Sequence, residues 1–175
     1  MLPVGRVNGP APEIIAAHIA AFYALDAVVL PPFALPEKTL DPKRRQHDAG
    51  RLIHFFENSL PARCRKLIAV LDVDMFLPIF THVFGEARLG GRVAVVSLFR
   101  LSAGAGDPRG AQGIIFERAA KIALHELGHL FNLEHCDHPG CMMQFAGGLS
   151  DLDRLELNLC RYCRMFLREA LFFPI

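Results

Sequence analysis

His125-Glu126-Leu127-Gly128-His129-Leu130-Phe131-Asn132-Leu133-Glu134-His135-Cys136 is the stretch on which the reading of this chain turns. Side chains four apart on an α-helix lie one above the other, so His125 and His129 can present both imidazoles to one metal ion. Glu126 sits one step around the helix, beside the open side of such an ion, where water would be. Ile122, Ala123, Leu124, Leu127, Leu130 and Phe131 flank the motif and make the helix a buried one. Burying this cluster without a metal would leave polar groups in need of partners. Two satisfied core histidines with an exposed glutamate are therefore the weaker reading.

His135 lies six residues beyond His129, a spacing that fails on a continuous helix and works if the helix ends between them. Asn132 stands midway, and asparagine is the best non-glycine occupant of the left-handed conformation that ends a helix. Its cost there is on the order of 1 kcal/mol. Four of the five cysteines follow at once: Cys136 and Cys141, then Cys160-Arg161-Tyr162-Cys163. Two close pairs, loosely spaced from each other, suit a tetrahedral thiolate zinc site with a closed, structural coordination shell. Two disulfides are the alternative, less suited to a reducing compartment. Cys64 stands apart and reads as a small buried side chain.

The run His125-Glu126-x-x-His129-x-x-Asn132-x-x-His135-Cys136, then Cys141-x-Met143 and Cys160-x-x-Cys163, resembles the archaemetzincins, a family of small metzincin-like peptidases. The resemblance implies a single compact metzincin-like domain over 1–175. Residues 1–132 would form the upper part, with a mixed twisted sheet and the active-site helix, and 133–175 a helical zinc-binding C-terminal part. It implies two zinc ions, a catalytic one on His125, His129 and His135 and a structural one on Cys136, Cys141, Cys160 and Cys163. Glu126 would be the general base, and Met143 would form a Met-turn beneath the catalytic ion. Met142 is the neighbouring candidate, and only the Cys-x-Met spacing favours Met143. Two features depart from the family's pattern: Asn132 replaces a glycine, and the gap from Met143 to Cys160 is one residue short, which a loop tolerates.

Outward from the motif, 114–132 reads as one long helix, and Ser150, with Asp153 as a capping-box partner, opens a last helix to about Leu171. Upstream, Ile14, Ile15, His18, Ile19 and Phe22 have helical spacing over 10–24, with Pro12 in the first turn. Ala27–Leu30 reads as a short buried strand and 41–58 as a second helix. Residues 66–73 form a central-strand pattern, apolar on both faces. Residues 83–87 and 92–98 flank Gly90-Gly91 as a hairpin, with Val93–Leu98 as the edge strand along which a peptide would lie. Residues 102–110 read as a Gly-rich loop. Helices alternating with strands and then closing the chain predict an α/β domain with a mixed sheet.

With 175 residues, there is room for one domain, and the 52% apolar content argues against disorder. A formal charge of +1 gives no electrostatic case for nucleic acid or an anionic membrane. No stretch reaches the roughly 18–20 apolar residues of a membrane span, and Met1–Arg6 lacks the pattern of a signal peptide. The expectation is a cytoplasmic monomer acting on a peptide or protein substrate. His138 reads as a turn residue in the zinc loop, and Tyr162 as a shield of the structural zinc rather than an aid to an oxyanion. His18, His47, His54 and His82 lack metal-like spacing. The competing reading is a catalytically weak metzincin-like zinc protein that binds peptides or partners, with Asn132 as its main support. A zinc ribbon built on the cysteines alone leaves the three histidines unexplained.

Overall fold

Val93–Ser97 and Leu67–Leu71 are buried at every position, the pattern of strands covered on both faces. The computed structural model describes residues 1–7, 9–59, 64–106 and 108–172, with no side chains described for 108–110. Its strands are β1 (Leu2–Val4), β2 (Leu40–Asp41), β3 (Gln46–Asp48), β4 (Leu67–Leu71), β5 (Met75–Phe76), β6 (Gly85–Ala87) and β7 (Val93–Ser97). Its helices are α1 (Ala11–Tyr23), α2 (Ala49–Ser59), α3 (Pro108–Leu130), α4 (Leu149–Arg154) and α5 (Arg161–Phe172).

The main sheet runs β1-β4-β7-β6, parallel until the last pair, where β6 returns antiparallel to β7. A small second sheet joins β2, β3 and β5. Alternation along β7 sends Ala94 and Val96 into the core shared with α1 and α3, and Val93 and Val95 into the core shared with α2. This is the α/β architecture with a mixed sheet that the alternation of elements predicts. Among the described residues no helix is long and apolar enough to cross a membrane.

Several sequence expectations are corrected. β7 is an interior strand, paired on both sides, and the free edge belongs to β6. Val93–Leu98 therefore cannot receive a peptide. Ala27–Leu30 forms no strand; it runs beside the first residues through Leu30 N–H to Met1 O, Pro31-Pro32 have no N–H to give, and the pairing resumes at Phe33, which donates to Pro3 O. The helix expected over 41–58 begins at Ala49, because Asp41 accepts the N–H groups of Lys43 and Arg44 in a side-chain turn and β2 and β3 pair around it. Asp48 then accepts the N–H of Arg51 and opens α2. Residues 108–110, read as loop, already belong to α3.

The last helix is split into α4 and α5. Asp153 forms no capping box; it makes a two-pronged pair with the buried guanidinium of Arg118 in α3. The break at 155–160 lets Asn158 O accept the N–H of Met142 and carries Cys160 to the other cysteines.

Candidate metal centre

The end of α3 is a Schellman turn. Asn132 adopts φ 67°, its N–H bonds His129 O, and the N–H of Leu133 bonds Gly128 O. Asparagine thus occupies the left-handed position that its place between His129 and His135 demands. The turn brings the ring of His135 to 4.8 Å from that of His129 and 5.2 Å from that of His125, centre to centre. One ligand nitrogen from each of the three lies within 4.8 Å of the others.

Two backbone carbonyls decide which nitrogens face inward. His125 Nδ1–H donates to Met142 O at 2.8 Å, and His129 Nδ1–H donates to Leu133 O at 2.7 Å. This leaves the Nε2 lone pairs of both rings free, 3.0 Å apart. Burial, with His129 beside it, holds His125 down to a pKa of about 3, and burial also lowers those of His129 and His135. All three are neutral near pH 7, the state a zinc ligand needs. Nitrogens about 2.0–2.1 Å from one tetrahedral ion would lie about 3.3 Å apart, so this donor set fits zinc with little movement.

Glu126 lies beside these rings and is 7% exposed. Burial, and secondly the charge of Glu86, raises its pKa well above the ordinary carboxylate range. Gly85 of β6 makes room for it, because a Cβ there would fall 2.6 Å from Glu126 Oε1. Below the helix, Gly128 serves the same purpose for Met143: a Cβ there would stand 2.5 Å from Met143 Sδ. Met142 and Met143 are both fully buried, but they differ in what they offer. Met143 packs its thioether under the histidine turn, and Met142 supplies the carbonyl that orients His125.

The four cysteines form a second cluster, with one sulfur from each within 4.8 Å of the others. Cys136 Sγ and Cys160 Sγ are 3.8 Å apart. Thiolates about 2.3 Å from one tetrahedral zinc lie about 3.8 Å apart, whereas a disulfide requires about 2.05 Å. The N–H of His138 points at Cys136 Sγ and that of Cys160 at Cys141 Sγ, each at 3.4 Å, as suits sulfur carrying negative charge. His138 lies in the turn between the first two cysteines, exposed and outside the cluster. Cys64 stands apart, half-buried, with its thiol on Lys66 O.

A cleft of about 750 Å³ opens above the histidines. The β6 edge forms one wall, and Phe80, His82 and Phe145 stand among its lining residues. His82, passed over for want of metal-like spacing, stacks edge-on against Phe84 there. Phe145 stands 5.4 Å from the ring of His135. Tyr162 lies outside the cleft, exposed, under the guanidinium of Arg161. Tyr23 was missed: it is buried beneath α3 and donates to Leu124 O. Gly85, Tyr23 and Phe145 lie far from the motif in sequence or in ordinary surroundings, and no local signal marks them. Gly128 did carry one, a glycine in the buried, Ala- and Leu-rich second half of a long helix.

Archaemetzincins share this architecture. That of Halobacterium salinarum is 33% identical over 167 residues, which span 94% of this chain and 95% of the relative. That of Archaeoglobus fulgidus is 31% identical over 162 residues, 93% of this chain and 94% of its own. The crystal structure of the Methanopyrus kandleri archaemetzincin matches with a TM-score of 0.83 and 29% identity, covering 98% of this chain and 93% of that one. The A. fulgidus archaemetzincin, crystallised with malonate, gives a TM-score of 0.81 at 28% identity and covers 94% and 97%. The chain is a zinc metallopeptidase, a hydrolase whose substrates are peptides or proteins. The profile of peptidase family M54 matches residues 63–169, and the chain belongs to that family.

Proposed function

We propose that the chain hydrolyses peptide bonds with a catalytic zinc on His125, His129 and His135 and with Glu126 as general base. A second, structural zinc would sit on Cys136, Cys141, Cys160 and Cys163. The observation that carries the reading is the convergence of three neutral imidazoles beside a buried carboxylate in a cleft walled by a sheet edge. Zinc on the histidines would supply Lewis acidity, polarising the scissile carbonyl and making water acidic enough to ionise near neutral pH.

Glu126 takes a proton from the attacking water and passes it to the departing amide nitrogen, so the carboxylate ends the cycle as it began. Burial raises its proton affinity above that of an ordinary carboxylate, which favours taking a proton from water. A substrate lies extended against β6, whose outer edge pairs with no strand among the described residues. Main-chain pairing there aligns a peptide without reading its side chains.

The test is cleavage of a mixed peptide library, read by mass spectrometry, with zinc-loaded wild type beside Glu126→Ala. Products from wild type that vanish in the variant support the mechanism and report whether cleavage is terminal or internal. Equal cleavage by both would remove Glu126 from its role. Silence from both, with two zincs bound per chain, would favour a peptide-binding protein.

A further inference from the structure

The turn that ends α3 is held from outside by a side chain that the mechanism leaves unused. Lys66, one residue before β4, is half-buried. Its ammonium donates to Leu130 O at 2.6 Å and to Gly91 O at 2.8 Å, and it lies 5.3 Å from the centre of the Phe131 ring. Leu130 is the last residue of α3, and the final carbonyls of a helix have no partner within it. The chain itself satisfies the two before it. Gly128 O takes the N–H groups of Phe131 and Leu133, and His129 O takes those of Asn132 and Gly90. Leu130 O is taken by Lys66.

Each of these bonds is one step from the metal centre. Leu130 follows His129 directly, and Leu133, whose carbonyl orients the His129 ring, is three residues on. Gly90 and Gly91 belong to the connection between β6 and β7, and β6 walls the cleft. One ammonium therefore ties the C-terminal end of the zinc helix to the hairpin that would receive the peptide. A positive charge is also the favourable one at that end of a helix.

We propose that Lys66 is a positioning residue of the peptidase: it clamps the α3 terminus to the β6–β7 hairpin and so keeps His129 and His135 in register with His125. The proposal rests on the reading of these histidines as zinc ligands. A methionine at 66 would fill the space of the stem but leave both carbonyls unpaired. An arginine would keep the charge and the donors. Arg92 supplies the control, since its guanidinium donates to Cys64 O at the same end of the sheet.

The experiment follows zinc release from the holoenzyme to a chromophoric chelator, below the unfolding temperature, for wild type, Lys66→Met, Lys66→Arg, Arg92→Met and His135→Ala. His135→Ala identifies the histidine phase by abolishing it. Lys66→Met should speed that phase on the order of tenfold and lower kcat, as loss of an outer-sphere partner does, and should leave the cysteine phase unchanged. Lys66→Arg should recover most of both, and Arg92→Met should alter neither rate. Should Lys66→Met fail to fold, Lys66→Gln, which keeps a donor, takes the same readings with a smaller expected shift. Unchanged release from the histidines in Lys66→Met, with melting lowered as in Arg92→Met, would overturn the proposal and leave Lys66 a stabilising residue alone. If His135→Ala loses no zinc, the reading beneath it falls as well.

Discussion

Two glycines in α3 should respond to alanine with opposite signs. Gly113 is exposed, and a Cβ there meets nothing within 4 Å. Gly113→Ala should therefore gain the ordinary helix preference, about 0.8–1 kcal/mol. At about 2–4 °C per kcal/mol for a chain of this size, melting should rise by a few degrees. Gly128→Ala gains the same preference but puts a methyl group 2.5 Å from Met143 Sδ, 3.0 Å from its Cε and 3.3 Å from Tyr23 Oη. Met143 is fully buried, so its thioether has no solvent to swing into. Overpacking of this kind costs about 1–3 kcal/mol. The net effect is a loss of up to about 2 kcal/mol and a fall in melting of up to roughly 8 °C, against the rise expected at Gly113. The strain also reaches the metal centre, because pushing Met143 shifts the adjoining Met142 carbonyl that holds His125. Zinc affinity at the histidines should drop on the order of tenfold. Thermal unfolding and chelator competition read the two effects, and adding Met143→Ala should relieve much of the first. A rise in melting for Gly128→Ala that matches Gly113→Ala would refute the placement of Met143 beneath the motif.

Gly85→Ala should cut peptidase activity by more than tenfold with zinc content unchanged, because its methyl displaces the Glu126 carboxylate; full activity in that variant would count against the close approach. A pH effect is expected in the metal-free protein. His125 titrates at about 3 when folded and near 6.5 when unfolded, so the unfolded chain binds more protons between these values. The contribution of His125 to stability is intact above about pH 6.5 and declines as pH falls towards 3. Urea midpoints across that window should fall more steeply for wild type than for His125→Gln, and parallel slopes would contradict the assigned burial.

What could be read from the sequence was local. The pairing of His125 with His129 follows from helix geometry alone, and the turn at Asn132 follows from the scarcity of residues that tolerate a positive φ. The grouping of the cysteines follows from thiol chemistry. What could not be read depends on partners that arrive from elsewhere in the chain. Val93–Ser97 and Gly85–Ala87 form one hairpin under either reading, and which of them faces outward is settled by β4 pairing with β7. The uniform burial of β7 was foreshadowed in its uninterrupted apolar run, whereas the half-buried β6 carries glycine and glutamate. The helix expected from 41 lost its first 8 residues, about two turns, to Asp41, whose short side chain satisfies two backbone donors and favours the turn over helix, and to the β2–β3 pairing around it. Asp153 looked like a cap until Arg118, 35 residues away, claimed it.

The segment from Leu133 to Cys160 has to hold its shape with very little regular structure, since α4, with 6 residues, is the one element described within it. No β ladder fixes its backbone, yet it must deliver His135, the Leu133 carbonyl and the Met142 carbonyl to defined points around α3. A zinc on the four sulfurs would do what a ladder does elsewhere. Cys136 is adjacent to His135, its N–H bonds Met143 O, and Cys141 is adjacent to Met142. Cys160 and Cys163 bring in the start of α5 from the far side. On the proposed reading the two candidate ligand sets would be mechanically one unit, in which a metal on the cysteines would fix the loop and the loop would fix two of the contacts that aim the histidines. The close spacing of the motifs in sequence has this physical reason. A ligand set drawn from a loop needs a second constraint within a few residues, and Cys136 and Cys141 supply it on either side of the turn.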